Sequence, residues 1–117
     1  MKILIAEDSF NYGTILKSYL ESHGYEYEWA QDGLLAEERI MSGDFSLLIT
    51  DILMPGKDGF ELLKLIKDRE IKIKIIVLTG KKTESDAVRA LELGADEFVT
   101  KPFNLEELLL RVKVLVK

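Results

Sequence analysis

Four short apolar runs punctuate the chain, and each ends on one or two polar groups. Ile3-Leu4-Ile5-Ala6 runs into Glu7-Asp8, Ser46-Leu47-Leu48-Ile49-Thr50 into Asp51, Ile75-Ile76-Val77-Leu78 into Thr79, and Glu97-Phe98-Val99-Thr100 into Lys101. Runs this short, bounded by Gly, Pro and acidic residues, predict strands, and continuous apolarity in the run before Asp51 predicts a strand covered on both faces. Tyr25 to Ala30 instead alternates aromatic with acidic residues, which predicts a half-exposed strand near one side of a sheet.

Between these runs the apolar positions fall at helical spacing. Ser9 is an N-cap for a helix with Ile15, Leu16, Tyr19 and Leu20 on its apolar side, ending near Gly24. Gly13 inside that helix costs about 1 kcal/mol against Ala and marks close packing or a functional surface. Asp32-Gly33 opens a second helix through Leu35, Ala36 and Ile40, closed by Ser42-Gly43-Asp44. Asp58 and Glu61 have capping-box spacing ahead of Leu62, Leu65 and Ile66. Thr83 with Asp86 starts a fourth helix carrying Val88 and Leu91 and ending at Gly94. Asn104 and Glu107 open a fifth with Leu108, Leu109, Val112, Leu115 and Val116 inward.

Strands alternating with helices through short loops predict an α/β fold, a three-layer sandwich around a parallel sheet. In a parallel sheet all the polar run ends share one edge, and open α/β sheets bind ligands outside the carboxyl ends of their strands.

Composition narrows the options. The 117 residues fit a single domain, 1–117, with 47% hydrophobic and 32% charged residues, as in ordinary globular chains. A net charge of −5 disfavours direct nucleic-acid binding by this domain. The absence of Cys removes thiolate metal sites, thiol nucleophiles and disulfides. No apolar run approaches the ~20 residues that span a bilayer, and the first residues turn acidic too early for a signal peptide, so a cytoplasmic protein with no membrane contact is expected.

The chemistry follows from the run ends. Should the first and third strands be neighbours, Glu7, Asp8 and Asp51 gather, and clustered carboxylates need a cation or protons to neutralise them. Mg²⁺ suits such hard oxygen ligands and keeps room for phosphate oxygens. Lys101 adds a second positive charge and Thr79 a hydroxyl donor. A carboxylate with these neighbours is equipped for phosphoryl transfer, a reaction catalysed mostly by positioning and charge stabilisation.

These residues resemble the receiver domain of two-component response regulators along essentially the whole chain. The matching pieces are Glu7-Asp8-Ser9, Leu48-Ile49-Thr50-Asp51-Ile52-Leu53-Met54-Pro55-Gly56-Lys57-Asp58-Gly59, Val77-Leu78-Thr79-Gly80, Gly94-Ala95-Asp96-Glu97-Phe98 and Thr100-Lys101-Pro102-Phe103. The resemblance implies a flavodoxin-like fold with strand order 2-1-3-4-5. It implies that Asp51 is the phosphoacceptor for a sensor histidine kinase or phosphotransfer protein, and that Asp8, Asp51 and the backbone carbonyl of Leu53 bind Mg²⁺ directly, Glu7 mostly through water. Lys101 and Thr79 would contact the phosphoryl oxygens, and the Lys101-Pro102 bond would be cis. Thr79 and Phe98 would form the switch that alters the face of the fourth helix, fifth strand and fifth helix. The chain would catalyse only its own phosphorylation and dephosphorylation, and would control a C-terminal effector domain absent from it, or another partner, in transcription.

Some positions depart from the commonest family pattern. Glu7 stands where Asp is usual and Phe98 where Tyr is frequent. Leu53 and Lys81 occupy positions that tune autodephosphorylation in the family, and an apolar Leu53 implies a long-lived phosphoryl state. Resemblance to receivers of winged-helix transcription factors makes Glu92, Glu97, Arg111 and Lys113 a candidate phosphorylation-dependent dimer face, against the alternative of a solvated charged surface. His23, the single histidine, sits near a helix end where a cation is favourable. Three other functions compete. A flavin-binding module is disfavoured because Glu7-Asp8 would repel the cofactor phosphate, and a small-molecule phosphatase lacks its second acid at Leu53. A phosphorylation-independent interaction module sits poorly with an intact acid, hydroxyl and lysine set.

Overall fold

Strands form where the apolar runs lie. The computed structural model describes residues 2–80 and 84–116, so Lys81 and the predicted helix-start residue Thr83 lie outside the described residues. In chain order the elements are β1 (Lys2–Ala6), α1 (Phe10–Ser22), β2 (Glu26–Ala30), α2 (Gly33–Ser42), β3 (Leu47–Thr50), α3 (Gly59–Asp68), β4 (Lys74–Thr79), α4 (Glu84–Glu92), β5 (Glu97–Thr100) and α5 (Leu105–Leu115). The strands form one sheet in the order β2-β1-β3-β4-β5, every neighbouring pair parallel. The flavodoxin-like α/β architecture expected from the sequence is therefore the one found.

Period-two alternation divides the strand residues between two cores. Ile3, Ile5, Leu47, Ile49, Ile76 and Leu78 pack with Leu16 and Leu20 of α1 and Leu108 and Val112 of α5. Leu4, Ala6, Leu48, Ile75 and Val77 pack on the other side with residues of α2, α3 and α4. Helix ends follow their caps: Ser9, Asp32, Asp58 and Asn104 each accept a backbone N–H of the first turn, and Asp58 with Glu61 forms a reciprocal capping box.

Several helix faces differ from the periodic reading. Val88 and Leu91 are 48% and 52% exposed, while Ala90 between them is completely buried. Both stripes of α4 are apolar, and the one with the smaller side chain, Ala90, lies against the sheet. Ile15 and Leu35 also face outward, whereas Phe60 and Leu63, which the spacing argument omitted, are core. The predicted strand of half-exposed aromatics is an edge strand, as expected.

Gly13 has a specific neighbour. A Cβ built there would lie 1.9 Å from Cζ2 of Trp29, so the indole of β2 lies directly on the α1 backbone. His23 is exposed at the end of α1, with Nδ1 2.9 Å from the Tyr19 carbonyl oxygen and its ring beside that of Tyr19.

Candidate functional site at the carboxyl edge of the sheet

Strand register brings the polar run ends together. Ala6 pairs with Thr50 and Thr79 with Thr100, so the residues that follow leave the sheet side by side. The hydrogen bonding continues past the last pairs: Asp51 N–H donates to Ala6 O at 3.0 Å, and Lys101 N–H donates to Thr79 O at 2.9 Å. Glu7 N–H likewise donates to Ala30 O at 3.1 Å. The backbone of each chemistry-bearing residue is thus fixed by its neighbour's strand.

The side chains converge in turn. Lys101 Nζ donates to Asp51 Oδ2 at 2.8 Å and also to Glu7 Oε1. Asp51 Oδ1 accepts the N–H of Ile52 at 2.6 Å, and Glu7 Oε2 accepts the N–H of Ser9 at 3.1 Å. These are buried charges, with side chains of Lys101, Glu7 and Asp51 only 8%, 2% and 11% exposed. Asp8 is exposed beside them, and one carboxylate oxygen from each of Glu7, Asp8 and Asp51 lies within 4.8 Å of the others. An all-oxygen set of this size, open on the Asp8 side, fits a hard divalent cation.

Burial and pairing pull on this cluster in opposite directions. Burial raises the Glu7 carboxyl above its ordinary value, an effect that the Lys101 hydrogen bond and the Ser9 N–H only partly offset. For Lys101, burial favours the neutral amine, but the hydrogen bonds and charges of Asp51 and Glu7 together outweigh it and hold the ammonium above its usual range. The lysine is therefore a fixed cation at neutral pH.

Close backbone approaches frame the site. A Cβ at Gly59 would lie 2.3 Å from the Asp51 carbonyl oxygen, and Gly59 N–H donates to Ile52 O at 2.7 Å. The start of α3 therefore rests against the backbone that carries Asp51, as only glycine permits. Gly33 at the start of α2 meets the same loop, with its N–H donating to Pro55 O at 3.0 Å. The Lys101-Pro102 peptide is cis, as the resemblance implied.

Of the remaining predicted residues, Thr79 is 1% exposed at the end of β4, and Leu53 is 56% exposed on the loop after Asp51. Phe98 is half-buried against the α2-α3-α4 core. Arg111 is engaged within its own chain, with Glu97 and, at 2.9 Å, with Glu107. Glu92 and Lys113 are exposed. Sequence reasoning missed two contacts of the cluster. Trp29 Nε1 donates to the Glu7 carbonyl at 2.9 Å, and the Lys101 ammonium lies 4.2 Å from the centroid of the Tyr12 ring. Gly13 signalled the first contact by predicting close packing, but its partner could not be named from spacing.

Comparison with known proteins agrees with this geometry. The family model described as "Response regulator receiver domain" matches residues 3–113. The transcriptional regulatory protein RprY of Bacteroides fragilis is 35% identical over 117 residues, covering 100% of this chain and 50% of its own length. Response regulator protein PmrA of Pseudomonas aeruginosa is 35% identical over 117 residues, covering 100% of this chain and 53% of its own. The chain thus spans about half the length of these relatives. Among solved structures, the CheY-like response regulator receiver domain protein of Methanospirillum hungatei superposes with a TM-score of 0.92 at 33% identity, covering 97% of this chain and 90% of that one. With a family match over nearly every residue and the same fold at this level of identity, the chain belongs to the response regulator receiver domains, the signalling modules of two-component systems.

Proposed function

We propose that Asp51 accepts a phosphoryl group from the phosphohistidine of a sensor kinase or phosphotransfer protein in a Mg²⁺-dependent reaction. What carries the reading is the buried contact of Lys101 Nζ with Asp51 Oδ2 at 2.8 Å, beside a carboxylate cluster. One carboxylate oxygen of Asp51 is held by Ile52 N–H, which leaves Oδ2, facing the ammonium, to form the new P–O bond. The P–N bond of the donor breaks, and the departing imidazole keeps the electron pair and takes a proton from solvent. Lys101, and Thr79 at the end of the adjacent strand, then contact the phosphoryl oxygens, where fixed positive charge and a donor are most effective.

Asp8, Asp51 and the Leu53 carbonyl would hold Mg²⁺ directly and Glu7 through water. Bound there, the ion would offset repulsion among the carboxylates and neutralise charge on the transferring phosphoryl group. Incubation with Mg²⁺ and a small acyl phosphate, followed by intact mass, should show one phosphoryl adduct on the parent and none on Asp51→Asn. An adduct retained by the variant would remove Asp51 from the role. Leu53→Asn should shorten the lifetime of the adduct, since a polar side chain there can hold the attacking water; an equal lifetime in both proteins would refute that role.

For the output, phosphorylation would draw Thr79 toward the phosphoryl group and let Phe98 repack, changing the face of α4, β5 and α5. This population shift biases two packings by a new charge. That face already presents exposed Val88, Leu91, Leu110 and Val114, which favours contact with a second copy or with an effector domain of a longer, cytoplasmic transcriptional regulator. Sedimentation should change on phosphorylation, and Arg111→Glu should abolish the change by breaking the Glu97 pairing at that face.

A further inference from the structure

The Lys101 ammonium has a neighbour that the phosphoacceptor reading does not use. Its hydrogen bonds go to Glu7 and Asp51, and the Tyr12 ring covers it from a third side with Nζ 4.2 Å from the ring centroid. Tyr12 is itself held from both parts of the site. Its N–H donates to Ser9 Oγ at 3.2 Å, directly after Glu7-Asp8, and its ring packs at 5.8 Å, tilted, on Phe103, directly after Lys101-Pro102.

We propose that Tyr12 is a positioning residue for the phosphoryl-transfer site, its ring face holding the Lys101 ammonium at the mouth of the Glu7–Asp51 gap. The inference rests on the reading of Asp51 as phosphoacceptor. A lysine stem is flexible and its head a strongly hydrated point charge, so two carboxylates alone leave the ammonium free to turn toward water. An aromatic face closes that side and attracts the cation through its quadrupole, most strongly where water is excluded. The side chain of Lys101 is only 8% exposed. The argument also separates Tyr12 from the other two contacts by what the reaction does to them. Metal binding and phosphorylation draw on the charge of Glu7 and Asp51, whereas the ring offers Lys101 the same surface before and after transfer.

The test is the rate of Asp51 phosphorylation by a small acyl phosphate at saturating Mg²⁺, measured on the parent, Tyr12→Phe, Tyr12→Leu and Tyr12→trifluorophenylalanine. Tyr12→Phe should stay close to the parent, Tyr12→Leu should fall about three- to thirtyfold, and the fluorinated ring, similar in shape but with a weakened quadrupole, should fall toward Leu. The loss should appear in the maximal rate constant for phosphorylation rather than in the donor concentration that half-saturates it. Without any phosphodonor, the methylene protons of Lys101 next to Nζ should show an upfield ring-current shift that Tyr12→Phe keeps and Tyr12→Leu loses. Equal rates across the series, or a Phe and trifluorophenylalanine pair that match while only Leu is slow, would overturn the proposal, as would the absence of that ring-current shift in the parent. A parent that carries no adduct on Asp51 would overturn the phosphoacceptor reading and this proposal with it; a reactive parent with a flat series overturns this proposal alone.

Discussion

Two of the three-membered charge clusters on this sheet are built with opposite stoichiometry. At the carboxyl edge one ammonium, Lys101, serves two carboxylates, Glu7 and Asp51, with all three side chains nearly buried. On the β1–β2 side, one carboxylate, Glu28, serves two cations, Lys2 at 3.0 Å and Arg39 at 2.5 Å, with side chains 29–51% exposed. The pKa directions follow the difference. Burial raises Glu7 despite its cation, whereas the Lys2 hydrogen bond lowers Glu28, and with the help of Arg39 it outweighs the opposing effect of burial. An excess of buried negative charge is a cost that a folded chain retains where a cation is to be bound. The solvated cluster, with its excess of positive charge, fastens an edge strand. The contrast shows that proximity of charges says little by itself; burial and the sign of the excess distinguish a site from a surface.

The largest effect should come from Lys101→Met. Removing the one cation that the described residues place in the cluster strands two buried carboxylates, so metal-free stability in urea unfolding should fall by about 3 kcal/mol, and phosphorylation of Asp51 should slow by about a hundredfold or more with the loss of a positioned charge. Added Mg²⁺ should raise the Tm of this variant more than that of the parent, because the ion then replaces the missing neutralisation. If Mg²⁺ stabilises both equally, the cluster is not the ion's site.

Next in size is Gly13→Ala. Helix propensity alone favours alanine by about 1 kcal/mol. The new Cβ would lie 1.9 Å from the Trp29 ring, which also holds the Glu7 carbonyl, so the variant should instead lose about 1–3 kcal/mol as packed atoms are forced apart. Thermal unfolding measures the loss, and the emission of Trp29, the single tryptophan, should shift with it. A more stable variant would mean that the indole moves aside easily and does not brace the site.

The smallest effect belongs to the solvated cluster. Glu28→Gln should cost under about 1 kcal/mol and the cost should shrink in high salt. Its pH dependence has a definite sign. A carboxylate whose folded-state pKa lies below its unfolded value of 4.5 stabilises the fold above that pH, and the contribution disappears as the pH falls through the lowered folded-state value. The parent and Glu28→Gln should therefore differ in stability at neutral pH and converge in acid. A difference that persists at the acid end would assign the effect to packing rather than charge.

Much of this molecule is legible without coordinates, and the limits of that legibility are physical. Apolar runs of four to six residues specify strands because backbone pairing and two-sided burial leave few other uses for them, and the Ser, Asp and Asn caps specify helix starts because they satisfy otherwise unpaired N–H groups. The polar residue at the end of each run was readable for the same reason, and Glu7, Asp8, Asp51 and Lys101 do converge. The buried face of α4 was not readable, since both stripes around Val88 and Ala90 are apolar and only packing against the sheet selects one of them. Nor could any spacing rule place Trp29 over Gly13 or Tyr12 over Lys101, contacts between residues 16 and 89 positions apart in the chain. Local sequence determined the elements and which residues stand at their tips, because capping, turn chemistry and burial act over a few residues. The tertiary structure alone decided which tips touch, how deeply each charge is buried and which aromatic ring lies over the ammonium, because those depend on strand register and on side chains meeting across the whole fold.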